Sequence, residues 1–197
     1  VERDRIHIPR KHRASARAAA ALVELFITIS VIALLSGLIL AAIARTRSEA
    51  HSIQCMANLK NISVAFSQYA AVNEYRYPSP LDAGKSWESL LERYIKEPGI
   101  FACPSDEEVY PSVGSSYDWR DTPDPDTTLA GKPLATVTRS ETVLAFETLS
   151  GWHQRHRMNA LRVNGSVEMM FDDDCLLDLQ YPVNTFGLAS TQNTKLH

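Results

Sequence analysis

The sequence predicts an α+β chain: a long N-terminal helix, apolar on all sides in its first half, packed through its second half on a small antiparallel sheet. Three observations carry this. An uncharged apolar run extends from Leu25 to Ala44. Apolar residues then continue at helical spacing as far as Tyr69. Short apolar β-type segments follow late in the chain, two of them flanking Asn164-Gly165. A length of 197 residues suits one modest domain plus an anchor.

The run LFITISVIALLSGLILAAIA is about the twenty residues that a helix needs to cross hydrocarbon. A soluble core helix is rarely apolar all round for so long. Arg3, Arg5, Arg10, Lys11, Arg13 and Arg17 precede it, against Glu2 and Asp4. A basic flank of this kind stays cytoplasmic, which orients the remainder outward. The acidic balance after Ala44 and a net charge of −3 argue against nucleic acid as a partner, because phosphate binding needs a basic face. Two plain readings compete: a secretory signal ending at Ala42-Ile43-Ala44, and an uncleaved anchor. Neither explains Glu24, a carboxylate beside the apolar run that is costly in lipid without a partner.

Ala19-Ala20-Ala21-Leu22-Val23-Glu24-Leu25, leading into that run, resembles the class III signal of prepilins and type II secretion pseudopilins. Ala19 stands where that family has Gly, and Ala20 where it has Phe. The resemblance implies cleavage between Ala19 and Ala20 by a prepilin peptidase, followed by methylation of the new terminus. It also implies that Glu24 pairs with the terminal ammonium of a neighbouring subunit during filament assembly. Such a pair neutralises two charges that would be expensive apart inside an apolar bundle.

Cys55, Leu59, Ile62, Phe66 and Tyr69 form one apolar stripe, and neither Pro nor Gly interrupts residues 41–77. One helix from about Ala20 to about Ala71 follows, roughly 75 Å long at the α-helical rise. The segments Cys55-Met56-Ala57-Asn58-Leu59-Lys60-Asn61-Ile62, Tyr75-Arg76-Tyr77-Pro78 and Cys103-Pro104-Ser105-Asp106 resemble stretches of pilin-like secretion proteins, in the same order. The implied plan is 1–19 basic leader, 20–44 transmembrane and filament-core helix, 45–77 amphipathic stalk and 78–197 α+β head.

Within the head, Ser86 caps a helix reaching about Lys96, with Trp87, Leu90, Leu91, Tyr94 and Ile95 on its apolar face. Gly114-Ser115-Ser116-Tyr117 is similar to the short strand that follows the Cys-Pro-Ser-Asp element in those pilin-like proteins, and the resemblance implies a strand here. Residues 118–132, rich in Asp, Thr and Pro, read as a polar surface loop without core-forming power. Residues 142–147 read as a buried strand. Residues 157–163 and 166–171 flank Asn164-Gly165, the signal for a two-residue hairpin with positive φ at both central positions.

Three cysteines permit one disulfide with a thiol left over in an exported head. Cys55–Cys103 is the preferred pair, and three buried free thiols are the alternative. No Cys-x-x-Cys pair suggests a zinc ribbon. His153 and His156 lie as His-x-x-His but lack an evident third ligand, so they read as a loop pair. Asp172-Asp173-Asp174 offers clustered hard oxygens after a strand, a candidate calcium loop of the kind the pseudopilin resemblance implies. The alternative is a solvated turn.

The expected role is therefore structural, not enzymatic. It is that of a single-pass bacterial inner-membrane subunit with a cytoplasmic N-terminus and a periplasmic head. Its expected partners are further copies, other pseudopilins, the prepilin peptidase, an inner-membrane assembly platform and membrane lipid. The competing expectation is a monomeric anchored periplasmic binding or sensor module.

Overall fold

The computed structural model describes residues 10–80 and 84–183. The first part of the expected leader and the C-terminal end of the expected head lie outside them. The chain divides into two units, one up to Arg47 and one from Ser48 on.

Helix α1 spans Arg10–Val72 without a break, 63 residues in all. It begins ten positions before the expected start at Ala20, so Ala19 and Ala20 both lie within it. The reason is local: Ala14, Ala16 and Ala18 to Ala21 are the best helix formers, and no Gly or Pro separates Arg10 from the apolar run. In the first unit Leu22, Val23, Leu25, Phe26 and Ile27 are all exposed. The helix is long and apolar enough to cross a membrane: its most apolar 18-residue window has a mean hydropathy of 2.6 and buries none of its residues.

α1 stops where Glu74 and Tyr75 turn left-handed, at φ 53° and 55°. Such φ values are unfavourable for residues with a Cβ. Two bonds offset the cost: Tyr75 N–H donates to Ala70 O at 2.9 Å, and Asn73 Nδ2 donates to Tyr69 O at 2.7 Å. The chain thus leaves the helix before Pro78 could end it.

The second unit is built on a four-stranded antiparallel sheet in the order β1 (Tyr117–Trp119), β2 (Val143–Glu147), β3 (Arg157–Arg162), β4 (Val167–Phe171). The predicted stripe of α1 supplies its core: Cys55, Leu59, Ile62 and Phe66 are buried, and Tyr69 is half-buried. Phe66 stacks on Trp87 with ring centroids 5.9 Å apart and lies 5.4 Å from Trp119. Full burial of each large apolar side chain contributes about 1.5–3 kcal/mol. Helix α2 is Trp87–Leu91, followed by a 3₁₀ turn at Glu92–Tyr94. The expected cap is present, with Ser89 N–H donating to Ser86 Oγ at 3.3 Å. A short helix α3, Val109–Val113, precedes β1.

β2 is buried along its whole length. One side of the sheet belongs to the α1 core. On the other, Val143, Phe146, Met158 and Ala160 form a second cluster with Cys175 of helix α4 (Asp172–Gln180). The β3–β4 connection differs from the expected two-residue hairpin. Gly165 takes φ 80°, but Asn164 is not among the residues with positive φ. Gly165 N–H donates to Arg162 O, and Arg162 N–H donates to Ser166 O, both at 2.8 Å. The result is a longer turn ending in a left-handed glycine, another common hairpin solution. Lys60 of α1 holds it, its Nζ donating to Gly165 O at 2.6 Å.

The stretch read as a coreless polar loop is another correction. Trp119, Arg120 and Leu129 are all buried. The guanidinium of Arg120 donates to Thr127 O (2.7 Å), Asp178 Oδ2 (2.7 Å), Asp178 O (2.8 Å) and Tyr181 O (2.6 Å). Asp178 also accepts from the Val143 N–H at 2.8 Å and from Arg139 at 3.0 Å. A pattern read for apolar residues misses a loop anchored by an arginine whose charge is fully paired.

Asp178→Ala strands that guanidinium and is expected to cost about 3–5 kcal/mol. Arg139→Ala, which removes a partner one-third exposed (34%), is expected to cost about 0–1 kcal/mol. Denaturant unfolding of the two variants, followed by tryptophan fluorescence, checks the contrast.

Candidate functional site

Each residue singled out in the sequence has a definite place. Glu24 is exposed on α1, and a shallow apolar notch on the same helix face is lined by Ala20, Val23, Glu24, Ile27 and Thr28. Asp172, Asp173 and Asp174 form the first turn of α4, not a loop. Carboxylates there face the positive end of the helix dipole, which accounts for the cluster electrostatically. Their oxygens are not among the side-chain groups that converge as a ligand set in the described residues.

One such group does converge, and it joins residues far apart in sequence. The ligand atoms of Cys55, Cys103, Glu147 and His153 all lie within 4.8 Å of one another. Cys55 comes from α1, where its place in the apolar stripe aims it at the sheet. Cys103 follows the 3₁₀ turn Pro98–Phe101. Glu147 ends β2, and His153 lies in the connection to β3. The His153 side chain is 2% exposed and that of Glu147 1%. The two cysteines preferred for a disulfide are thus neighbours, but both are free thiols, with the Cys103 sulfur 3.5 Å from His153 Nε2.

Glu147 would be prohibitively costly here without partners. Its Oε2 accepts from the Asn159 backbone N–H at 2.8 Å, and its Oε1 accepts from Asn159 Nδ2 at 2.9 Å. His153 Nε2 lies 3.0 Å from the same Oε1. On its other side, His153 Nδ1 lies 3.5 Å from Ser105 Oγ, which is 3.0 Å from His51 Nδ1. Burial opposes the charged form of His153, but hydrogen bonds to Cys103 and Glu147, and their charge, prevail and raise its pKa to about 9. A hydrogen bond from Cys55 lowers the Cys103 thiol to about 6 against the effect of burial, assisted by His153 and the Ser105 backbone. Cys55 is pushed far upward by the hydrogen bond with Cys103 and by burial.

The His-x-x-His pair is divided by the fold. His153 enters the cluster, whereas His156 has a 72% exposed side chain and a left-handed φ of 56°. A nucleophile–base–acid triad is also a poor description. Such a triad places the acid on one imidazole nitrogen and the nucleophile on the other. Here Glu147 and Cys103 both face Nε2. Spacing could not reveal this set, because its donors sit on four separate segments between residues 55 and 153.

Asp106 holds the Cys103 segment in place. Its carboxylate accepts from the N–H groups of Glu108, Val109 and Tyr110 at 3.0, 2.7 and 2.8 Å, and from Ser116 Oγ at 2.6 Å. Ser116 Oγ in turn accepts from the Cys103 N–H at 2.9 Å. No family model, curated protein or solved structure matches this chain.

Asp106 beside this set and Cys175 in the second cluster are both titratable groups shifted by their surroundings. Burial raises the pKa of Asp106, but the bonds to Ser116 and the three N–H groups outweigh it and lower the pKa. A depressed carboxylate stabilises the fold above its unfolded pKa, and that contribution is lost as pH falls through the folded value. Asp106→Asn should therefore lower stability at pH 7 and flatten its fall below about pH 4, as read from urea midpoints across pH. Cys175, fully buried with its thiol pushed up to about 12, should resist iodoacetamide at pH 8 and react at an ordinary thiol rate once unfolded. Peptide mapping after timed alkylation measures both rates.

Proposed function

We propose that this chain is a pilin-like structural subunit, held in a bacterial inner membrane by α1 and assembled into a type II secretion or type IV pilus-type filament through that helix. The observation that carries the reading is Glu24, an acid next to an otherwise uncharged apolar run whose large side chains are all exposed. A lone anchor has no use for a carboxylate there. A helix that packs against copies of itself does, because the acid can meet a neighbour's terminal ammonium and set the register.

Assembly follows from the two halves of the helix. The apolar half is covered by lipid before assembly and by other subunits afterwards. The amphipathic half is committed to its own sheet through Leu59, Ile62 and Phe66, so each subunit carries a folded head on the same helix. The subunit does no chemistry of its own. The prepilin peptidase cleaves between Ala19 and Ala20, and an assembly platform supplies the work. Because both alanines lie within α1, the peptidase must unwind a short stretch of helix to reach the bond.

The deciding measurement is the intact mass and N-terminal peptide of the membrane-extracted protein. A start at Ala20 bearing one extra methyl group is expected. A start at Arg45 would identify a conventional signal peptide and end the filament reading. An intact leader would favour a monomeric anchored module. In parallel, Glu24→Ala should abolish incorporation into sheared filaments while membrane levels of the protein stay unchanged. Normal incorporation of that variant would remove the role assigned to Glu24.

A further inference from the structure

We propose that Cys55, Cys103, Glu147 and His153 form a structural site for a thiophilic divalent cation of the zinc type, bound by Cys55 Sγ, Cys103 Sγ, His153 Nε2 and Glu147 Oε1. The site lies wholly within the unit from Ser48 on, so it holds or fails separately from the filament reading.

The geometry points to an ion shared by four donors. Around a tetrahedral zinc with ordinary bond lengths, sulfur, nitrogen and oxygen donors lie about 3.3–3.8 Å from one another. Here Nε2 is 3.5 Å from the Cys103 sulfur and 3.0 Å from Oε1, and all four atoms fall within 4.8 Å. The separations of His153 Nε2 from the Cys103 sulfur and from Glu147 Oε1 match those values to within a few tenths of an ångström. Two sulfurs, an imidazole nitrogen and a carboxylate oxygen suit zinc and are a poor set for calcium or magnesium, which take oxygen. Four protein donors leave no open coordination position, and the side chains are shielded from water. Both features mark a structural site, not a catalytic one.

The surroundings support two of the donors separately. Asn159 fixes the carboxylate of Glu147 through both of its oxygens. Ser105 Oγ faces His153 Nδ1, so a proton on Nδ1 leaves Nε2 free to bind a metal. A disulfide between the same cysteines would have no use for Glu147 or His153. An ion here would tie α1, the Cys103 segment and β2 together, so its binding energy would become folding energy.

The test uses the full-length chain in detergent, purified under reducing conditions without added metal, then titrated with Zn²⁺ and Co²⁺. Native mass spectrometry should find one zinc per chain, and Co²⁺ should give tetrahedral ligand-field bands with sulfur-to-metal charge transfer. Cys55→Ser and Cys103→Ser should each lose one sulfur's share of the charge-transfer absorption, and Cys175→Ser should lose none. Ser105→Ala, which leaves every ligand in place, should weaken zinc binding about tenfold or more with unchanged stoichiometry. Zinc should also raise the unfolding midpoint of the reduced chain, a readout independent of whether the cysteine variants fold. A reduced, folded chain that binds neither ion would overturn the proposal. So would cobalt spectra without sulfur ligation, or equal binding by Cys55→Ser and the unaltered chain.

Discussion

Glu147 is the constraint around which the second unit is arranged. It is a carboxylate with no access to water, at the end of a strand buried along its whole length. An isolated charge there would cost more than a domain of this size can spare. Asn159 on the adjacent strand answers it with a backbone and a side-chain N–H, and His153 answers it from the following connection. Asn159 also reaches Ser52 of α1, 3.3 Å from its Oγ. The polar contacts of one acid thereby join two strands, a loop and the long helix, and Cys55 and Cys103 complete the ring around His153.

A second buried charge performs the same service on the far side of the sheet. Arg120 and Asp178 draw the segment after β1, the start of β2 and the end of α4 to one point. Both networks work by geometry more than by net energy. A buried ion pair gains little over well-packed apolar residues, yet breaking one is severe. These networks therefore fix which loop packs where, while Leu59, Ile62, Phe66, Trp87 and Trp119 supply the bulk of the apolar stabilisation.

The two halves of α1 live under different rules. From Leu22 to Ile43 its large apolar side chains are exposed. After Ser48 the same helix is covered by its own sheet.

The sequence by itself determined what depends on periodicity and local chemistry. The uncharged run of 25–44, the stripe from Cys55 to Phe66, the Ser86 cap and the buried strand of 142–147 each follow from spacing or from one residue's bonding capacity. The tertiary structure alone decided what depends on charges meeting across long separations. Arg120 lies in a stretch that looks like polar surface and is buried only because Asp178 waits 58 positions away. Asp172 to Asp174 read as a loop in the sequence, and the fold makes them the first turn of α4. Cys55, Cys103, Glu147 and His153 have no common spacing, because four different segments deliver them to one point. Local propensity acts over a few residues and leaves a pattern in the sequence; the pairing of buried polar groups acts only through the finished fold.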